Sequence, residues 1–266
     1  MTTFNRFAQV LLFTAVQAAW PAPGLAQTLE RLSDKDIKAL FDQVDEGRDK
    51  FEGNLDGDFK GSTVRNPTGE AKVSSVLQDY QDNTKKLTDR FTPDYSASAE
   101  VTAVLSQSTS IHRFMQNAAS SMKGRTEWDS QVVNLKRLAE AYGTTFPLAE
   151  GASVRRMNDK ETAAAAAAIA NVGNAYKKGL DKATALPKPD RDAAKKDADL
   201  LIKQANTVKD RTGDGEPATG EMRQLIEQAA KIQAFVGSHD VPAAATSWQA
   251  VQAPMAKLRQ AFGLPQ

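Results

Sequence analysis

The stretch Thr126-Glu127-Trp128-Asp129, followed by Leu138-Ala139-Glu140-Ala141-Tyr142-Gly143, decides the reading of this chain, because its outline recurs. Thr246-Ser247-Trp248-Gln249 is followed by Leu258 and Phe262-Gly263. In both, tryptophan precedes leucine by ten residues, an aromatic residue by fourteen and glycine by fifteen. A period of about 120 residues is too long for a solenoid unit, so each copy is domain-sized.

Working outward, each copy resolves into four helical segments. The first begins Leu32-Ser33-Asp34-Lys35-Asp36 in one copy and Met157-Asn158-Asp159-Lys160-Glu161 in the other. Both read as capping boxes, with Ser33 or Asn158 at the N-cap and an acid three residues on. Ile37, Leu40, Phe41, Val44, Phe51 and Leu55 then fall on one stripe of a 3.6-residue helix. Their counterparts are Thr162, Ala165, Ala166, Ile169, Tyr176 and Leu180. Thr162 is the polar departure, expected in a wet first turn. The exchange of large groups for alanine predicts closer helix approach in the second copy.

The second segment runs from about Ala71 to Phe91, matched by about Asp190 to Arg211. The third covers about Ala97 to Met122, matched by about Ala218 to Gly237. Here Val101, Leu105, Ile111 and Phe114 pair with Met222, Ile226, Ile232 and Phe235. The fourth begins at Thr126 and at Thr246, each again resembling a capping box, with Gly143 and Gly263 as helix stops. Nothing alternates long enough to predict strands. The expectation is an all-α chain: about eight helices in two up-and-down four-helix bundles, residues 32–146 and 158–264, joined by a linker at 147–157.

Ahead of this lies the pattern of a signal peptide over residues 1–26. Arg6 is the only charge before Glu30, an apolar run spans Phe7 to Ala19, and Gly24-Leu25-Ala26 suits cleavage before Gln27. That run is shorter than the about 20 residues a bilayer requires. The expected location is periplasmic or secreted, with no integral membrane segment after cleavage. Removing Arg6 leaves 33 basic against 33 acidic residues. Formal neutrality argues against binding duplex DNA or RNA by bulk charge, which needs a basic face. With no cysteine, thiol catalysis, thiolate metal sites and covalent haem are excluded.

Candidate chemistry is sparse. The two histidines, His112 and His239, are not equivalent positions, and neither follows a glutamate by three residues as a helical metal site would have it. Both read as polar surface residues. Asp210 to Glu221 approximates a calcium loop, with oxygens at Asp210, Thr212 and Asp214, glycine at Gly215 and a carboxylate at Glu221. Thr212 and Pro217 depart from that template, and the other reading is a glycine-rich turn between helices. Asp56-Gly57-Asp58 carries a weaker version, spoiled by Lys60. Asp89-Arg90 recurs as Asp210-Arg211, and Asp56 as Asp181; these read as helix-end ion pairs or as a paired acid site. Trp128, Trp248, Tyr142 and Phe262 read as core anchors. No nucleophile elbow, zincin motif, phosphate loop or dinucleotide fingerprint occurs.

Gly47-Arg48-Asp49-Lys50-Phe51, Leu87-Thr88-Asp89-Arg90-Phe91, Ile111-His112-Arg113-Phe114-Met115 and Trp128 with Leu138 to Tyr142 together resemble exported bacterial helical-bundle proteins of unassigned function. The second copy departs, with Tyr176, Thr212 and Phe262 substituting. The resemblance implies the fold and export and no activity. The expected function is therefore non-enzymatic, without a cofactor: an interaction, scaffold or envelope-associated module with a protein partner. The alternative is a module for a small ligand or calcium, using the cleft between the bundles or the 210–221 loop.

Overall fold

The computed structural model describes residues 31–66, 69–119 and 121–264; the signal-peptide pattern lies outside them. The fold is all-α with almost no strand. The first half contains α1 (Asp34–Asn54), a single turn α2 (Gly57–Lys60), α3 (Val73–Arg90), α4 (Ser98–Asn117) and α5 (Arg125–Ala141). The second contains α6 (Asp159–Asp181), α7 (Lys188–Gly213), α8 (Thr219–Ser238), α9 (Pro242–Gln249) and α10 (Gln252–Ala261). No helix among the described residues is long and apolar enough to cross a membrane.

Neighbour relations repeat between the halves. Helix α1 packs on α3 and α5, α3 on α4, and α4 on α5. Likewise α6 packs on α7 and on α9 and α10, α7 on α8, and α8 on α9. Each half buries its own apolar cluster, one from Ile37 to Val154 and one from Met157 to Phe262. The tryptophans occupy like surroundings. Trp128 lies 4.9 Å from the Phe51 ring and Trp248 lies 5.6 Å from the Tyr176 ring, centroid to centroid.

The first helix of each half starts as its sequence demands. Ser33 and Asn158 each complete a capping box, accepting from the backbone N–H three residues on while that residue's carboxylate accepts from theirs. Gly143 and Gly263 end α5 and α10 with φ of +71° and +62°, a conformation that favours glycine. Each stop is tied by a six-residue backbone bond, Thr144 to Ala139 and Leu264 to Arg259.

Four details differ from the sequence reading. Thr126 and Thr246 are not caps; their helices begin earlier, at Arg125 and Pro242, after Gly124 and Val241. The last helix is broken into α9 and α10. Pro254 lacks an N–H and its ring crowds the carbonyl of Ala250, which is where α9 stops. Thr162 is fully buried rather than wet, its hydroxyl donating to the Asn158 carbonyl at 2.8 Å. A hairpin, β1 (Thr63–Asn66) and β2 (Gly69–Lys72), occupies part of the expected loop. Its four-residue strands are too short to leave an alternating pattern.

The alanine-rich α6 packs tightly, as its composition predicts. Gly179 faces α9 so closely that a Cβ there would lie 2.6 Å from the Ala244 Cα and 2.7 Å from its N. Both are backbone atoms that cannot swing aside. Gly179→Ala is therefore expected to lose about 1–3 kcal/mol of stability in urea unfolding, despite a helix-propensity gain of about 1 kcal/mol. Gly237→Ala, in α8 with nothing within 4 Å, is expected to gain up to about 1 kcal/mol.

Candidate functional site

The two halves meet head to head at the N-termini of α1 and α6. Asp34 and Asp159 hold equivalent positions, 125 residues apart. The Asp34 N–H donates to the Asp159 carboxylate at 2.8 Å, and the Asp159 N–H donates to the Asp34 carboxylate at 3.0 Å. Each acid thus caps the other helix and neutralises its positive end. Two arginines complete the box. Arg31 donates to Asp159 at 2.6 Å and to the Met157 carbonyl at 3.1 Å. Arg156 donates to Asp34 at 2.5 Å and to the Leu32 carbonyl at 2.8 Å. The arginine side chains are 7% and 4% exposed, which places their charges where an unpaired partner is costly. Burial, more than any neighbour, holds Arg31 below its ordinary pKa. Arg31 and Arg156 were not singled out in the sequence; their signal is the shared offset from the two caps.

A second polar cluster lies inside the first half alone. The Gln131 amide donates to the Val44 carbonyl and to the Tyr80 hydroxyl, both at 2.8 Å. Tyr80 is also hydrogen-bonded to Ser108, which donates on to the Val104 carbonyl. Burial pushes the Tyr80 hydroxyl's pKa up. Beside it, buried Arg48 pairs with Asp45 and Asp49, and Thr84 donates to Asp45 at 3.0 Å. Gly47 makes room: a Cβ there would fall 2.0 Å from the Gln131 side-chain oxygen. Ala170, Gly173, Leu201, Ala205, Ala229 and Val251 take the equivalent positions of Asp45, Arg48, Tyr80, Thr84, Ser108 and Gln131 in the second half.

The third feature is a groove of about 680 Å³ along α4. Thr102, Ser106, Ser110, Arg113 and Asn117 form one stripe of the helix, and Leu148 to Ala152 of the linker form the facing wall. Hydroxyls on α4 hold that wall in place. Thr109 accepts the Leu148 N–H at 2.8 Å and Thr102 accepts the Val154 N–H at 3.2 Å. Both hydroxyls can accept because each spends its own proton on a carbonyl four residues back. The linker is thus a built part of the fold. The second half carries Arg223, Glu227, Lys231 and Ala234 where the stripe has Thr102, Ser106, Ser110 and Arg113.

The residues singled out from sequence are placed as follows. The Trp128 indole N–H donates to His112 Nδ1 at 3.2 Å, and Trp248 donates to Gln233 at 2.8 Å, so His112 is a half-buried acceptor rather than a surface group. His239 is exposed, stacked on Phe235. Arg90 bridges to Glu100 at 2.7 Å, and Arg211 bridges to Glu221 across the equivalent turn. Burial alone would raise the Glu100 pKa, but hydrogen bonds from Arg90 and Tyr95 outweigh it and hold it low. Asp56 pairs with Lys123 at 2.8 Å, and Asp181 pairs with Lys195, which holds that carboxyl below its ordinary range. Of the calcium-loop residues, Asp210 and Thr212 lie in α7 with Thr212 buried, and Asp214 is that helix's C-cap. Glu221 sits in the first turn of α8. Among the described residues no three His, Cys, Asp or Glu side chains gather at metal-binding distance.

Two measurements follow from this geometry. Burial lowers the His112 pKa, Lys136 and Arg125 push the same way, and Asp129 opposes them. The neutral ring that accepts from Trp128 is thus favoured on folding. Its stabilisation is complete above the unfolded value of about 6.5 and is lost as pH falls through the lower folded value. His112→Gln, the second half's solution, is expected to flatten the fall in unfolding free energy between neutral and mildly acidic pH, read from urea curves at the two pH values. With Glu221 engaged by Arg211, millimolar calcium is expected to leave the melting temperature unchanged relative to chelator; a rise assigns the 210–221 loop a cation. Compared with family models, curated proteins and solved structures, the chain matches none.

Proposed function

We propose that this chain is an exported, non-enzymatic helical protein that works as an interaction or scaffold module at the cell envelope, on the periplasmic or outer side. The observation that carries the reading is the reciprocal Arg31–Asp159 and Arg156–Asp34 box. It spends the most buried cations of the junction on fixing how one half faces the other. A fixed relation between two surfaces is what a scaffold requires, since preorganised surfaces bind without an ordering cost.

A second reading, a ligand-binding module, is favoured by the groove along α4. Its volume falls in the range of small-molecule sites, and its polar groups converge on one face.

Asp34→Ala leaves Arg156 buried with its strongest partner removed. The expected result is a loss of about 3–5 kcal/mol in unfolding free energy. Spin labels placed on α1 and α6 are expected to report a broader distance distribution in the variant. Cross-linking in intact cells is expected to capture the same neighbours with wild type and to lose them with the variant. A defined turnover by the purified protein, abolished by changing a single acidic residue, would overturn the non-enzymatic reading.

A further inference from the structure

We propose that the groove along α4 binds a hydroxyl-rich oligosaccharide, a ligand class that rests on the ligand-binding reading above. Three observations carry it.

The first is shape. The stripe from Thr102 to Asn117 runs about 22 Å along the helix at ~1.5 Å per residue. That is a trough for a short polymer rather than a slot for one ring.

The second is the chemistry of the walls. Ser106, half-buried at the groove, carries a hydroxyl that can donate or accept, while Ser110 is buried and donates to the Ser106 carbonyl. Arg113 supplies N–H donors, and Glu150 on the linker wall supplies acceptor oxygens. Cation and anion in one trough disfavour a polyphosphate, which Glu150 would repel. A hydroxyl both donates and accepts, so a chain of sugar hydroxyls satisfies either kind of group in any order. Apolar contact comes from Phe114, Ala149 and Ala152, with Leu148 buried behind them, so the lining offers both hydrogen-bonding groups and the carbon surface that a sugar ring's C–H face can cover.

The third is the comparison within the molecule. Equivalent positions on α8 carry Glu227 and Lys231, and Lys231 is paired with Asp197 of α7. The fold thus tolerates charged side chains along this face. The hydroxyl at half-buried Ser106 is not demanded by the helix packing the halves share, whereas Ser110 is buried where Lys231 is exposed.

Nuclear magnetic resonance of the purified protein, titrated with cellotetraose, N-acetylchitotetraose and an uncharged extended heptapeptide, tests this. One tetrasaccharide is expected to shift amides within 102–117 and 148–152. Arg113→Ala and Ser106→Leu are expected to weaken that binding about tenfold each, the equivalent of one good polar contact. Lys203→Ala, exposed on α7, serves as the control and is expected to bind as wild type. Unchanged melting temperatures separate lost contacts from lost folding. Shifts with the peptide alone overturn the saccharide class and leave the groove a binding site. Shifts with no probe, or only outside these segments, overturn both the class and the ligand-binding reading. The scaffold reading stands apart, because it rests on the charge box.

Discussion

Two helix N-termini pointed at one another repel, since each end carries the equivalent of about half a positive charge. This molecule places α1 and α6 in that arrangement and resolves it with two carboxylates, Asp34 and Asp159, that each accept an N–H from the opposite helix. The acids would then bring excess negative charge into a half-buried site, and Arg31 and Arg156 balance it. Each arginine also takes a backbone carbonyl just ahead of the helix its partner acid begins, Met157 or Leu32. Cap, charge and chain direction are fixed together. The linker, the groove it walls and the relation of the two cores all depend on this junction.

Away from the junction the halves solve the same packing problem with different chemistry. The first half places a glutamine, a tyrosine, a serine and an arginine–aspartate pair where the second has alanine, glycine, leucine and valine. Buried polar groups contribute little net stability when satisfied and cost much when not. They restrict which partners fit, because Gln131 finds its acceptors only when α1, α3 and α5 are in register. The second half gains its definition from contact instead, with Gly173 and Gly179 admitting Ile202 and the backbone of Ala244. The shared elements are the ones that hold the ends: capping boxes, glycine stops, the Arg–Glu bridge across a turn and the tryptophan hydrogen bond.

What was legible in the sequence follows from range. Caps, apolar stripes and glycine stops involve residues within a turn or two of each other, so Ser33, Asn158, Gly143 and Gly263 could be read directly. The break at Pro254 was equally local, yet the match between Trp248 and Trp128 drew that segment as one helix. The β1–β2 hairpin has strands too short to show a period. The charge box could not be read, because its partners lie more than 120 residues apart and only the shared offset connects them. The groove was hidden for a related reason. Ser106 to Ser110 reads as a weak helix former until the linker is seen to use Thr109 as an anchor.

The junction also bears on how chains recognise one another. Its two sides present the same set of groups in the same order, so it is self-complementary in the manner of an isologous contact between separate subunits. Nothing in the four side chains identifies which α6 belongs to which α1. That discrimination falls to the residues between Gly143 and Asn158, stitched to α4 through Ser98, Thr102 and Thr109. Those stitches shorten the reach of the tether, and it is the tether rather than the handshake itself that makes the pairing a private one.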